Sequence, residues 1–333
     1  MKDSRGCTPM KSRRTFLHLA AGAAALPAAS RFAWAQSYPT RPVRIIVGSP
    51  PGNPPDIMAR LFAQRLSERL GPPFVVENRP GGAGNLATEL VARAPPDGYT
   101  LLQVNSGHAW NTTLYENLSF DFIRDIASVA SIYRQSGVMD VSPTFPARSV
   151  GEFIAYAKAN PGKINMASGG TASATHIYGE LFKMLAGVDM VHVPYRGTPA
   201  ALTALLSGEA HVFFDSVSTS LDHIRAGTVR GLGVTVAQRL KILPDVPSIS
   251  EFVPAYEASG FLGFGAPART PAEVIAKLNR EINASLADPT IMTRLTALGA
   301  TVLPLSAAEF GKLIAGETEK WAKVIKFVGI KPE

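Results

Sequence analysis

The chain has 333 residues, with 33 Lys and Arg against 26 Asp and Glu, a formal net charge of +7 at pH 7. The first 35 residues hold six of the basic residues and one acidic residue, so the remainder has 27 against 25 and is nearly neutral. This balance excludes the strongly basic surface that nucleic-acid-binding and membrane-surface proteins use. The single cysteine, Cys7, lies in the same segment, so the rest of the chain has no disulfide, no thiol nucleophile and no sulfur ligand for a metal.

Residues 1–35 have the pattern of an export signal. A basic start is followed by an Ala-rich apolar run over 17–29, too short to span a bilayer, and by a small-x-small cleavage pattern that ends at Ala35. The sequence at 12–17, SRRTFL, resembles the twin-arginine export motif. An ordinary Sec signal that contains an Arg-Arg pair is the alternative. Either signal, cleaved near Ala35, predicts a periplasmic protein.

From Tyr38 onward, strand and helix patterns alternate. The predicted strands are at 43–47, 74–77, 100–104, 126–133, 138–141, 163–167, 190–194, 211–215, 231–235 and 261–266. The predicted helices are near 56–70, 84–94, 149–159, 174–186, 199–207, 219–226, 271–287 and 306–326. This alternation predicts parallel sheets wrapped by helices.

The roughly 298 residues after the signal exceed one ordinary core, so we expect two domains. Pro-containing stretches at 142–149 and 253–261 predict that the chain crosses between domains there. Domain 1 is then 38–141 plus 261–333, and domain 2 is 142–260.

One local pattern occurs twice. Residues 45–70 read IIVGSPPGNPPDIMARLFAQRLSERL, a strand, a turn rich in Gly and Pro, and an amphipathic helix, and residues 163–182, KINMASGGTASATHIYGELF, repeat it. Such a turn directs free backbone N–H groups at one point, with the positive end of the helix dipole behind them. Ligands in sheets of this kind bind beyond the carboxyl ends of strands. Two such turns across a cleft would hold a small carboxylate from both sides.

Other motifs indicate other functions more weakly. The sequence GAGNLA at 82–87 matches a dinucleotide-binding pattern, but no acidic residue follows at the required distance, and a glycine-rich helix start is preferred. The five histidines after residue 35 lack metal-ligand spacing, and there is no G-x-S-x-G motif. We therefore expect no metal and no cofactor. His176 either ties the second turn in place, the preferred interpretation, or touches a ligand; Asp215 either lines a site or caps a helix.

Several segments together carry a family resemblance. They are YPTRPVRIIVGSPPGNPPDIMARLFAQRLSERLG, VVENRPGGAGN, APPDGYTLL, GELFKMLAGVDMVHVPYRG, LPDVPSISE and LNREINASLADP. From Tyr38 to the C-terminus the chain resembles the Bug family, extracytoplasmic solute receptors related to the binding component of tripartite tricarboxylate transporters. The resemblance implies a type II periplasmic-binding-protein-like α/β fold, two doubly wound domains that close on a ligand like a venus flytrap, and no catalysis.

The resemblance also implies which residues bind the ligand. It assigns two loops, 48–56 and 168–176, and the cleft positions of Ser106 and Asp215. The expected ligand-binding residues are Ser49, Pro51, Gly52, Asn53, Asp56, Ser106, Ser168, Gly169, Gly170, Thr171, Thr175, His176 and Asp215. Ligands of the family are held largely by backbone amides and waters, in keeping with the lack of an inward Arg motif here.

This sequence departs from the family pattern in both loops. The first has PPGNPPD at 50–56 where the family usually has two glycines, and the second has GGTA at 169–172 where AGNG is commoner. Pro54 and Pro55 lack N–H groups, and Asn53 adds an amide and bulk. His108 and Trp110 are also unusual. An aromatic or amide ligand is therefore conceivable beside a carboxylate.

Two functions from different classes follow. The first is a monomeric receptor for a small carboxylate or related polar solute, with membrane transporter subunits as candidate partners or with a role in sensing. The second is an exported α/β enzyme acting on a small carboxylate. The sequence favours the receptor, because it has no cysteine after residue 35, no metal-spaced histidines and no recognisable acid–base pair.

Overall fold

The structure, a computed structural model, describes residues 38–297 and 299–331. Its strands are β1 Val43–Val47, β2 Phe74–Asn78, β3 Thr100–Asn105, β4 Ile126–Val141, β5 Asn165–Ser168, β6 Val191–Pro194, β7 Val212–Ser216, β8 Arg230–Val234, β9 Ser259–Pro267 and β10 Ala300–Val302. Its helices are α1 Pro54–Leu70, α2 Asn85–Ala92, α3 Ser106–Leu114, α4 Phe122–Asp125, α5 Val150–Ala159, α6 Ala174–Ala186, α7 Thr198–Ser207, α8 Val217–Arg225, α9 Ala272–Leu286, α10 Pro289–Ala297 and α11 Ala307–Val328. The predicted export signal and its cleavage site lie outside the described residues.

The predicted helices are each confirmed within about two residues at either end. The strands predicted at 126–133 and 138–141 are instead one continuous strand, β4. The sequence did not predict α3, α4, α10 or β10. Within the described part of the chain, no helix combines the length and apolar character needed to cross a membrane.

Local chemistry explains where several helices begin and end. The hydroxyl of Ser149 accepts a hydrogen bond from the amide of Glu152 at the start of α5. The hydroxyl of Ser173 caps α6 in the same way, and α6 ends at Gly187 in the left-handed conformation. These N-terminal hydroxyls and the C-terminal glycine satisfy backbone groups that a helix end leaves unpaired.

The sheet is mixed, with the strand order β2-β1-β3-β9-β4-β7-β5-β6, while β8 and β10 also pair with β4. The expectation of parallel strands is correct for β1 with β2 and β3, and for β5 with β6 and β7. It is wrong for the centre, where β9 is antiparallel to β3 and to β4, and β4 is antiparallel to β7. The α/β class is thus confirmed, with two parallel groups joined through antiparallel strands.

Strand β4 links the two parallel groups. Its first part pairs with β9 up to Ser136 opposite Ser259, and its last part pairs with β7 from Gly137 opposite Ser216. The change of partner falls between adjacent residues of one strand. The predicted domain limits at 141/142 and 260/261 stay predictions.

The two parallel groups are built alike. In each, a first strand is followed by a loop and a helix, and that strand pairs on both sides with the next two strands. The first group runs from β1 to α3 and the second from β5 to α8. The loops at 48–53 and 168–173 therefore occupy corresponding places, at the carboxyl end of the first strand of each group.

Aromatic rings join the helices of the two groups. Trp110 of α3 lies 5.9 Å from the ring of Trp321 on α11, and Tyr178 of α6 lies 5.7 Å from the same ring. All three side chains belong to the largest buried apolar cluster. That cluster is continuous across both predicted domains.

Candidate functional site

The first loop begins where two glycine backbones meet. A Cβ atom on Gly48 would lie 2.7 Å from the Cα atom of Gly84, closer than any side chain tolerates. Gly84 has a φ of +93° and is the N-cap of α2. The GAGNLA segment therefore supplies a close backbone contact and a helix start, in agreement with the preferred interpretation.

The side chain of Asp56 holds the first loop itself. Its carboxylate accepts hydrogen bonds from the amide of Gly52 at 2.8 Å, from Nδ2 of Asn78 at 2.8 Å and from Nε of Arg60 at 3.0 Å. Burial raises the pKa of Asp56, but these hydrogen bonds and the Arg60 charge outweigh it, so the pKa falls below its ordinary value. None of the hydrogen bonds found among the described residues uses the backbone amide of Asp56.

The outer part of the first loop is open. Pro51, Gly52 and Asn53 are exposed, and the side chain of Asn53 makes no capping hydrogen bond at the start of α1. Because Pro54 and Pro55 have no N–H groups, the first turn of α1 lacks two backbone donors. The donors left in this segment include the side-chain amide of Asn53 and the backbone amide of Asp56.

Ser49 carries a buried hydroxyl that has no hydrogen-bond partner among the described residues. Its carbonyl oxygen accepts from Nδ2 of Asn78 at 3.0 Å, which fixes the backbone. An unsatisfied buried hydroxyl costs about 1–3 kcal/mol. Ser49 Oγ is therefore a group that a bound solute or water would satisfy.

The residues after β3 are mostly structural. The hydroxyl of Ser106 accepts a hydrogen bond from the amide of Phe261 at 2.7 Å, which ties α3 to β9. Nδ1 of His108 lies 3.1 Å from the amide of Asn105 in a capping box, and burial lowers the pKa of His108 to about 4. Trp110 lies in the buried aromatic cluster. The two unusual residues of this segment therefore serve packing and capping.

The second loop is braced by hydrogen bonds within itself. The amide of Gly169 donates to Oγ1 of Thr175 at 2.8 Å, and the amide of Gly170 donates to Oγ of Ser168 at 3.2 Å. The hydroxyl of Ser173 donates to the carbonyl of Gly170 at 2.6 Å. Two of the amides that were expected to meet an anion are thus already used.

Thr171 remains available at the tip of the second loop. It is half-buried, and none of the hydrogen bonds found in the described part of the chain uses its amide. On either side of it, Gly170 has a φ of +127° and Ala172 a φ of +60°. An alanine in the left-handed region costs about 1–2 kcal/mol, so other contacts must hold this backbone in place.

His176 supplies one such contact. Its Nδ1 accepts a hydrogen bond from the amide of Ala172 at 3.1 Å, a contact that joins the loop to α6. Its ring stacks on that of His192 with 3.6 Å between centroids and 7° between planes. Nε2 of His192 lies 2.6 Å from Oγ of Ser168. The sequence did not indicate His192, because its partners lie on another strand and on a helix, and no spacing links them to it.

Asp215 is the penultimate residue of β7 and is buried. Its Oδ1 accepts from the amide of Ser216 at 2.7 Å, but Ser216 itself is the N-cap of α8, so Asp215 is not the cap. Burial raises the pKa of Asp215 to about 7. Its carboxyl is therefore partly protonated at neutral pH.

A second carboxyl, Asp140 of β4, lies close to Asp215. The hydroxyl of Ser220 on α8 donates to Asp140 Oδ2 and lies 3.5 Å from Asp215 Oδ2. Burial, and then repulsion by Asp215, raise the pKa of Asp140 well above its ordinary value. The sequence signal for this residue is an acidic side chain inside the apolar run at 138–141.

The predicted residues therefore fall into two separate groups. The first loop contributes Ser49, the open segment 51–53 and the Asp56 amide, while the second contributes Thr171 in a loop held by its neighbours. Among the described residues, no hydrogen bond or ion pair joins the two loops. The described residues also contain no group of three or more His, Cys, Asp or Glu placed to hold a metal ion.

Comparison with known proteins places this fold. A family model, TctC, described as the tripartite tricarboxylate transporter family receptor, matches residues 58–330. Protein BugT of Bordetella pertussis is 33% identical over 300 residues, which cover 89% of this chain and 92% of BugT.

Two solved structures from Rhodopseudomonas palustris are similar over most of the chain. Rpa4515 with adipate is 35% identical, with a TM-score of 0.73 over 89% of this chain and 100% of the other. MatC (Rpa3494) with bound malate is 30% identical, with a TM-score of 0.70 over 86% of this chain and 100% of the other.

Proposed function

Because this chain belongs to the tripartite tricarboxylate transporter receptor family, we propose that it captures a small carboxylate or related polar solute between the loops 48–56 and 168–176. The observation that carries the proposal is the repeated strand–loop–helix unit, which places the two loops at corresponding strand ends. The family consists of solute-binding receptors, so the alternative of an exported enzyme is set aside.

The chemistry of the loops fits an anionic or strongly polar end group. Both loops precede helices of 17 and 13 residues, α1 and α6, whose positive dipole ends favour a negative charge. On the first loop, the buried Ser49 Oγ and the Asp56 amide have no hydrogen-bond partner among the described residues, and the exposed Asn53 side chain makes no capping hydrogen bond. On the second, the Thr171 amide is free. Each charge–dipole contact contributes about 0.3–1 kcal/mol, rising toward 2 kcal/mol when it is partly buried.

Dicarboxylates are the first solutes to consider. The similar proteins Rpa4515 and MatC have adipate and malate in their structures, and a dicarboxylate has one charged end for each loop. Closure of the two predicted domains on the solute would exclude water and strengthen these contacts. In this proposal the receptor is a periplasmic monomer that passes its solute to membrane transporter subunits or reports it to a sensor.

A melting experiment tests this function. The protein without residues 1–35 is heated with adipate, malate or a panel of other small carboxylates, and its melting temperature is measured. In a separate measurement, solute released from the purified protein is identified by mass spectrometry. A solute at one hundred times its dissociation constant stabilises by about 2.7 kcal/mol, which for a chain of this size raises the melting temperature by about 4 °C.

Adipamide, the uncharged diamide of adipate, is the matched control. If the carboxylates bind through the loop donors, adipate should raise the melting temperature and adipamide should not. An equal shift by both compounds, or no carboxylate among the released or screened solutes, would contradict the proposal. Small-angle scattering of the bound protein should also show compaction.

A further inference from the structure

Two histidines lie face to face beneath the second loop. His176 is in the first turn of α6, and His192 is on β6 opposite Met166 of β5. Their ring centroids are 3.6 Å apart and their planes differ by 7°. We refer to His176 and His192 together as the histidine pair.

His176 must be neutral for its contact with the loop. The amide of Ala172 is a donor, so Nδ1 of His176 is the accepting, unprotonated nitrogen at 3.1 Å. The remaining ring proton is then on Nε2, 3.5 Å from Oε1 of Glu180. A proton added to Nδ1 would place two donors against each other and break the contact with Ala172.

His192 holds the other end of the same loop. Its Nε2 lies 2.6 Å from Oγ of Ser168, and that hydroxyl also bonds the amide and the carbonyl of Gly170. The histidine pair is therefore linked to both neighbours of Thr171. His176 bonds Ala172 directly, and His192 is linked to Gly170 through the hydroxyl of Ser168. Gly170 and Ala172 are the two positions of the loop with positive φ, so they depend most on such contacts.

We propose that the histidine pair positions the second loop for solute binding, and that protonation of the pair at acidic pH loosens the loop and releases the solute. The proposal rests on the function proposed above, since it concerns the same loop. His176 and His192 are positioning residues, because each acts on the solute through the loop backbone.

The surroundings of the pair agree with this direction. Burial, and then the positive charge that His176 can carry, lower the pKa of His192 from 6.5 to about 4. Among the described residues, the charged groups that act on the pair are Glu180 and Lys183 of α6. Their ion pair of 2.9 Å offsets part of the attraction of Glu180 for a second proton. On β5 and β6 the facing groups are Ser168 and the pair itself.

The sign of the pH effect follows from these directions. In the loop as the structure shows it, the pKa of His192 is about 4, whereas an imidazole released by loosening of the loop has its ordinary pKa of 6.5. Between pH 4 and pH 6.5 the protein with the loosened loop therefore binds more protons than the protein with the intact loop. Solute affinity should be constant above pH 6.5 and should fall as the pH decreases toward 4. For one proton taken up, the decrease approaches tenfold per pH unit.

The test compares two variants of His176 with the wild type. Asn places an acceptor oxygen near the position of Nδ1 and does not titrate. Leu does not titrate either, but it has no acceptor. Adipate affinity is measured by calorimetry at pH 7.5, 6.5 and 5.5. His176→Asn should bind within about threefold of the wild type at pH 7.5 and keep more of its affinity at pH 5.5. His176→Leu should bind at least tenfold more weakly at every pH.

Comparison at equal pH isolates the contribution of His176, since the titrations of adipate, of Asp215 and of His192 are common to all three proteins. If His176→Asn loses affinity with decreasing pH as steeply as the wild type, the proposal is overturned. If His176→Leu binds adipate normally at pH 7.5, the positioning role is overturned as well.

A measurement without solute separates this inference from the proposed function. Hydrogen exchange of the Ala172 amide, relative to the same amide in the unfolded chain, reports the contact with His176 directly. Its protection should decrease between pH 6.5 and 4.5 in the wild type and should decrease less in His176→Asn, where His192 is the one histidine of the pair that can still take up a proton. Failure of adipate to bind at pH 7.5 would count against the proposed function, while a pH-independent protection in the wild type would overturn the role of the pair.

Discussion

The ring of Tyr178 stacks on the ring of Trp321, with 5.7 Å between centroids and 27° between planes. Tyr178 follows the second loop by two residues on its helix, and Trp321 belongs to the last helix of the chain. This contact therefore fixes the helix that carries the second loop against an element from the opposite end of the sequence.

Trp321→Ala should be strongly destabilising. The side chain is fully buried, and its Nε1 donates to Glu317 at 2.6 Å, so truncation removes packing and leaves an acceptor unpaired. We expect a loss of about 3–5 kcal/mol in the free energy of unfolding, measured in urea. Phe327→Ala on the same helix is the matched control, because that ring is 71% exposed and its loss should change stability by less than about 1 kcal/mol. Equal losses of unfolding free energy in the two variants would show that packing of Trp321 against Trp110 and Tyr178 does not stabilise the protein.

Asp215→Asn should stabilise the protein more at high pH than at low pH. Burial raises the pKa of Asp215 from 3.8 to about 7, so between these values the folded state binds a proton that the unfolded state has released. The stabilisation from the protonated carboxyl is complete below pH 3.8 and is lost as the pH rises to 7. An asparagine does not undergo this loss.

The advantage of Asp215→Asn in urea unfolding should therefore grow from pH 5 to pH 7, by at most about 1.4 kcal/mol per pH unit. Asp222→Asn is the control, because Asp222 is exposed on α8, the helix that follows β7, and exchange of an exposed side chain should change the stability little. A constant offset for Asp215→Asn would show that its carboxyl titrates normally.

Gly170→Val should abolish adipate binding while the protein remains folded. The φ of +127° at this position disfavours any L side chain, and a β-branched one most, so the loop around Thr171 must change shape. Gly208→Val is the control, since Gly208 also has positive φ, at +80°, but caps α7 away from both loops. Calorimetry should find adipate bound by the Gly208 variant alone. Normal adipate binding by the Gly170 variant would show that the second loop does not bind the solute.

Asn53→Gly should change solute preference rather than stability. The Asn53 side chain makes no capping hydrogen bond, and glycine is an acceptable N-cap, so the stability cost is a few tenths of a kcal/mol. Removing the amide makes the first loop more like the family pattern. We expect at least a threefold gain in affinity for malate, measured by calorimetry. Asn160→Gly at the end of α5 is the control, and an unchanged malate affinity in the Asn53 variant would show that this side chain does not contact the solute.

The sequence by itself determined the position of a helix or loop wherever one kind of pattern, such as an apolar face or a Gly–Pro-rich turn, was clear. The sequence predicts helices α1 and α6 because each has a single apolar face and a glycine at its C-terminal end. It predicts the loops before them from their content of glycine and proline. Helix α3 was missed because SGHAWNTTL contains weak helix formers. It forms because Asn105 caps it and Trp110 packs against Trp321.

Three features depended on tertiary structure, because each joins residues that are distant in sequence. The direction of β9 relative to β3 is set by the return of the chain from β8, and periodicity does not encode strand direction. The continuity of β4 through Ser136 and Gly137 comes from pairing with two partners, although polar residues interrupt the apolar pattern there. The contact of His176 with His192, like that of Asp140 with Asp215, exists only when separate strands and helices pack, since no local spacing brings such side chains together.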